Sequence, residues 1–347
     1  MPSSSALDGT ILTYDNSPVL GRAKKLIHVN GVMSPMEKQK RDLEALVWLT
    51  MDSPIDAIAV HNSTQSFQND LMESLLGKAE LYSTWSGKDP TATQKRFKSY
   101  ADALRQIIEQ KLPSDCDMLS AVKQGNESAL AMPQAIANRF GFDFSLLQRL
   151  PALKSMNIGE LSSYLYGNFP AGAPRATLRL AYEIIQGLNQ GTEVFVIAHS
   201  QGTIISAIAF HIAAQFYHQA EDWNRSLRFI GYGPVISFED LPPEMRSHSV
   251  LIQHREDLVA ETFSNFRNVD LWSDVQAQLQ KVLENVDKLT KIIQSDSHHS
   301  ASHYLGLTSE GSSKQSAQII QQLLTMSWNA PIIQGISFSR LILENKG

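Results

Sequence analysis

Val194-Phe195-Val196-Ile197-Ala198-His199-Ser200-Gln201-Gly202-Thr203 is the stretch on which the fold turns. Its first four residues are strand formers with no polar alternation, the pattern of a central strand covered on both faces. From Thr203 to Tyr217 the residues Ile204, Ile205, Ala207, Ile208, Phe210 and Ile212 leave hardly a polar side on the helical wheel, which predicts a buried helix. Between strand and helix stands a small-x-Ser-x-small string, Ala198 to Gly202. A serine at the tip of a sharp strand-to-helix turn takes strained dihedrals, and its neighbours two residues away must be small to avoid collision. Ala198 and Gly202 meet that demand. By average composition such a string arises by accident about 0.3 times in a chain of this length, so the weight rests on the strand before it and the helix after it. The turn exposes the Ser200 hydroxyl and aims the Gln201 N–H at the space in front of it.

Working outward, Leu26-Ile27-His28-Val29 is a short strand stopping at Asn30-Gly31, and Ile55 to His61 is a second, ending in Asn62-Ser63-Thr64. Between them Ser34-Pro35-Met36-Glu37 has the layout of a helix start, with Ser34 as N-cap, Pro35 in the first turn and Glu37 closing a capping box. Leu43, Leu46 and Val47 give that helix its apolar face. Strand, helix, strand is a βαβ unit, so a parallel sheet is expected. A helix from Arg175 to Leu188 precedes the central strand. Arg228 to Tyr232 and Val250 to His254 read as further strands, Leu271 to Ile293 as a long amphipathic helix and Ser313 to Leu324 as a last helix. The apolar stretch Ile332 to Leu343 carries no clear period.

Residues 1–20 are polar and read as a loosely held arm. Over 65–174 strand signals vanish and helical patterns replace them, at Phe67 to Leu81, Lys95 to Leu112, Ala129 to Arg139 and Phe144 to Leu153. This is too long for an ordinary connection. It reads as a helical insertion on a core made of 21–64 and 175–347, with a separate helical domain as the alternative. The fold class expected is α/β, a mostly parallel central sheet with helices on both faces.

The 347 residues are 43% hydrophobic and 19% charged, which excludes disorder or coiled coil as a description of the whole chain. Thirty Lys+Arg against 35 Asp+Glu give a net charge of −5, which offers no attraction to phosphate backbones, so no nucleic-acid partner is expected. The single cysteine, Cys116, rules out an internal disulfide and a Cys-clustered zinc site. The opening MPSSSALDGT lacks the basic and apolar regions of a secretion signal, and no apolar run is long enough to span a bilayer. A cytoplasmic location is therefore expected. No Walker-type loop and no G-x-G-x-x-G after the early strand occur, so no nucleotide cofactor is expected.

With its strand-elbow-helix unit and order of parts, the chain resembles the α/β-hydrolase superfamily, in its lipase/esterase-like branch, over residues 24–64 and 175–326. The resemblance implies Ser200 as nucleophile and an oxyanion loop after the early strand, where His28-Val29-Asn30-Gly31-Val32 stands. Backbone N–H groups of Val32 or Met33, with that of Gln201, would form the oxyanion hole. It implies an acid after the strand Val250 to His254, and Asp257-Leu258-Val259 is similar to the D-P-V string of such enzymes. Asp257 is preferred, with Glu256 and Asp240 as alternatives. The histidine must follow, and Ser297 to Leu305 offers His298, His299 and His303. His299-Ser300 ahead of Tyr304-Leu305 is similar to the H-S-x-x-x-Y-L string that carries the base in some lipase-like families.

The resemblance thus implies a serine hydrolase acting on a small-molecule or lipid ester, with an acyltransferase or thioesterase, or a silent binding module, as alternatives. The insertion over 65–174 would act as a cap or lid, with Phe67, Leu71, Trp85, Tyr164, Tyr166 and Phe169 as candidates to line an acyl pocket. His299 and His303 are spaced i, i+4, but H-S-A-S-H lacks the Glu of H-E-x-x-H, so no metal is expected. His199 is expected to support the site rather than carry protons.

Overall fold

The computed structural model describes residues 9–14, 24–50, 55–63, 74, 77–78, 80–85, 90–109, 175–218, 220, 222–264, 297–336 and 339–344. The helices expected at Ala129 to Arg139, Phe144 to Leu153 and Leu271 to Ile293 lie outside them, as do Phe67, Leu71, Tyr164, Tyr166 and Phe169.

The elements run β1 (Ile11–Thr13), β2 (Lys24–Val29), α1 (Met36–Leu49), β3 (Asp56–Val60), α2 (Pro90–Glu109), α3 (Arg175–Asn189), β4 (Glu193–His199), α4 (Gln201–Phe216), β5 (Leu227–Tyr232), α5 (Pro243–Arg246), β6 (Ser249–His254), α6 (Leu258–Ser264), α7 (Ala301–Tyr304), α8 (Gly311–Thr325), α9 (Pro331–Ile336) and β7 (Ser339–Leu343). One seven-stranded sheet has the order β1-β3-β2-β4-β5-β6-β7. All neighbouring pairs are parallel except β1 with β3.

The period of two along each strand assigns side chains to the two faces. Ile27, Val29, Val194, Val196 and Ala198 join α2, α3 and α4 in one buried cluster. Leu26, Phe195, Ile197, Ile230 and Val250 join α1 and α8 in the other. Helices therefore cover both faces, which is why the central strands could be apolar without alternation. None of the helices among the described residues is long and apolar enough to cross a membrane.

Three readings change. Within the arm expected over 1–20, Ile11–Thr13 pairs with β3 as an antiparallel edge strand, anchored by Gly9 N–H to His61 C=O at 2.8 Å and His61 N–H to Thr10 C=O at 2.8 Å. Three residues are too few to show a period, but β3's outer edge supplies the partners. Helix α1 is capped by Pro35, not Ser34, with no side-chain cap. The Lys38 and Gln39 N–H groups both bond the Pro35 carbonyl, and Asn30 Nδ2 donates to the Ser34 carbonyl at 3.4 Å, so Ser34 belongs to the preceding loop. Ile332 to Leu343 divides into α9 and β7, the latter an edge strand whose Ile342 is exposed, which is why no single period emerged.

The described part of the 65–174 segment is built into the core: Leu81, Phe97, Tyr100, Ala101 and Leu104 lie in the same buried cluster as α4. An ion pair fastens it. Lys78 Nζ bonds the fully buried Asp240 carboxylate, and Trp85 Nε1 donates to the same group at 3.0 Å. Burial raises the Asp240 pKa, but Lys78 and donors from Ser237 and Trp85 overcome that and hold it below the ordinary carboxylate value. A carboxyl with a depressed folded pKa stabilises the fold above its unfolded pKa, about 3.9, and loses that contribution as pH falls towards the folded value. Asp240→Asn should therefore cost about 3–5 kcal/mol at neutral pH, because it leaves Lys78 buried without its counter-charge. Its melting temperature should also fall less than that of the wild type between about pH 5 and about pH 3. Thermal melts across that range check both.

Candidate active site

The strand order reverses between β2 and β4, the chain stepping to β3 on one side and to β5 on the other. Ligand crevices in open α/β sheets form at the carboxyl ends of strands at such a switch point. The ends of β2 and β4 there are Asn30-Gly31 and Ser200.

Ser200 leaves β4 with φ 52° and ψ −124° and caps α4. A non-glycine residue in this region carries about 1–3 kcal/mol of strain and persists only where its surroundings impose it. They do. A Cβ on Gly202 would stand 2.5 Å from the Val29 carbonyl oxygen, and one on Gly31 would stand 2.7 Å from Ser200 Cβ and 3.0 Å from His199 Nδ1. Both glycines therefore let the β2 loop close against the elbow. Gly31→Ala is expected to push Ser200 out of position by a few tenths of an ångström and slow any reaction at its hydroxyl about tenfold or more, with the fold retained. The rate of Ser200 modification by a fluorophosphonate, measured beside circular dichroism, tests this.

Of the three late histidines, His299 is the one that reaches the elbow. Its Nε2 lies 2.9 Å from Ser200 Oγ and its Nδ1 lies 2.9 and 3.0 Å from the Asp257 carboxylate oxygens. All three side chains are buried. A carboxylate at Nδ1 fixes the proton there and leaves the Nε2 lone pair facing the hydroxyl. Asp257 also accepts from Ala260 N–H at 2.8 Å and from Tyr304 OH at 2.7 Å. Burial pushes the Asp257 pKa up, yet His299 and these donors bring it below the ordinary carboxylate value, so the group is ionised at neutral pH. The alternatives point elsewhere: Asp240 is held by Lys78, His298 stands 3.4 Å from Glu310, and His303 bonds Ser312.

No protein-family model, curated protein or solved structure matches the chain. What the site can do is therefore read from its own geometry.

His199 packs its ring against that of His299, with centroids 5.0 Å apart. Its Nε2–H donates to the His299 carbonyl at 2.7 Å, and its ring stacks on Tyr232 with centroids 5.0 Å apart. Burial first, and the neighbouring His299 second, push its pKa well below the ordinary imidazole value, so it positions His299 as a neutral ring. His28, buried on β2, shares a hydrogen bond of 2.9 Å with Tyr232 OH, and burial lowers its pKa to about 3.

On the other side, Gln201 opens α4, and Val32 and Met33 form the turn after Gly31, with Met33 at φ 52°. Two asparagines lock these pieces together, a role not evident in the sequence. Asn30 Oδ1 accepts from Asn62 N–H at 2.7 Å and Asn30 Nδ2 donates to the Asn62 carbonyl at 2.9 Å, while Asn62 Nδ2 donates to Gln201 Oε1 at 2.7 Å. The only signal was that parallel β2 and β3 end at the same sheet edge, which brings Asn30 and Asn62 together.

Proposed function

We propose that the protein is a serine hydrolase of the α/β-hydrolase type, cleaving carboxylic esters through an acyl-enzyme on Ser200. The observation that carries this reading is the unbroken run of hydrogen bonds that starts on a serine at positive φ, Ser200, and passes through His299 to Asp257. His299 Nε2 takes the hydroxyl proton as Oγ adds to the ester carbonyl. The oxyanion that forms would be met by the N–H of Gln201 at the start of α4 and by the N–H of Val32 or Met33. Collapse of the tetrahedral adduct breaks the ester C–O bond, and the imidazolium returns its proton to the departing alcohol. Water then repeats the sequence on the acyl-enzyme and restores Ser200. Asp257 stays ionised throughout and stabilises the imidazolium.

The test is direct. A fluorophosphonate should modify the folded protein at one residue, placed at Ser200 by peptide mapping, and short p-nitrophenyl esters should release p-nitrophenol. A folded protein that neither labels nor releases p-nitrophenol would leave a binding module as the better account. A burst of one p-nitrophenol per chain that becomes continuous turnover only when an alcohol or thiol acceptor is supplied would make it an acyltransferase.

A further inference from the structure

Behind the base, away from Ser200, the loop from Ser297 to Glu310 gathers a second set of side chains. One nitrogen each of His298 and His303 and one oxygen of Glu310 lie within 4.8 Å of one another. His298 Nε2 is 3.4 Å and His303 Nδ1 is 3.8 Å from the same oxygen, Glu310 Oε2. Ligands at 2.0–2.1 Å around a tetrahedral ion stand about 3.4 Å apart, so small side-chain adjustments would close this triangle on one ion. The tautomer also fits. Ser312 Oγ, buried, lies 3.2 Å from His303 Nε2 and can accept its proton, leaving the Nδ1 lone pair to the side of Glu310 and of Thr308 Oγ1, 3.3 Å away, whose hydrogen bond an ion would replace.

One more imidazole packs against His303. His254 is fully buried, and neither of its ring nitrogens has a hydrogen-bond partner. Its ring stands edge-on to His303 with centroids 4.4 Å apart. A buried imidazole without partners is costly. Glu256 adds a buried carboxylate oxygen that also has no partner.

We propose that His298, His303 and Glu310 form a three-ligand site for a divalent transition-metal ion of the zinc type, its fourth position open to solvent. The site is distinct from the proposed hydrolytic centre, and its chemistry needs nothing from Ser200. It adjoins that centre through the peptide linking His298 to His299, so an ion there would stiffen the turn that carries the base.

The experiment is equilibrium dialysis of the chelator-treated full-length protein against Zn2+ alone. One ion per chain is expected. His298→Ala and Glu310→Gln, at partly exposed positions, should each weaken binding about tenfold or more while circular dichroism shows the fold retained. Ser200→Ala should leave binding unchanged. Absence of stoichiometric binding, or binding that survives both substitutions, overturns the proposal whether or not Ser200 is a nucleophile.

Discussion

Ser200→Ala is expected to lower ester turnover by about 10^6-fold and to abolish fluorophosphonate labelling, with little change in stability. The size follows from the proposed route: without Oγ there is no acyl-enzyme, and members of such a set fail together rather than additively. The fold should tolerate the change. Ser200 is held in its strained turn by the close approach of Gly31 and Gly202, not by its hydroxyl, and its side chain makes no capping hydrogen bond to α4. Alanine keeps the Cβ and loses one hydrogen bond to His299. Steady-state hydrolysis of a short p-nitrophenyl ester, with a parallel thermal melt, measures both quantities. Turnover within tenfold of wild type would place the reaction elsewhere.

Asp257→Asn is the second large effect, expected at about 10^3–10^4 in turnover. Every partner of this carboxylate is a donor: His299 Nδ1, Ala260 N–H and Tyr304 OH. An asparagine must turn its NH2 towards one of them. The Ala260 N–H cannot rotate away, so the amide oxygen stays on that side and the NH2 faces Tyr304 and His299. The imidazole then gains by accepting at Nδ1, which moves its proton to Nε2 and leaves no lone pair for the Ser200 hydroxyl. The imidazolium also loses its counter-charge. The fold should hold, since Asn fills the same volume. A variant retaining more than a tenth of wild-type turnover would remove Asp257 from the mechanism.

Much of this arrangement was legible in the chain. The central strand Glu193–His199 announced itself through four apolar residues without alternation because helices cover both of its faces. The elbow was legible because its steric demand falls on neighbours within the same string, whereas Asp257 and His299 stood out through the family resemblance of the strings around them. What escaped depends on contacts between distant parts. Ile11–Thr13 is a strand only because β3 has an open edge. The Asn30–Asn62–Gln201 lock joins three loops that no local period connects. Glu310, at the start of α8, meets His298, which precedes α7, a distance in sequence that matches no familiar metal spacing.

The salt link from Lys78 to Asp240 bears on how a substrate would enter. Asp240 is also tied to the body of the molecule through its carbonyl, which accepts from His211 on α4 at 3.0 Å. Any gating motion that carried Lys78 or α2 with it would have to pull an ion pair out of its dry surroundings and strip Phe97, Tyr100 and Leu104 from the core. That toll is comparable to the whole stability of many domains. Residues 78 and 90–109 are thus doorframe rather than door.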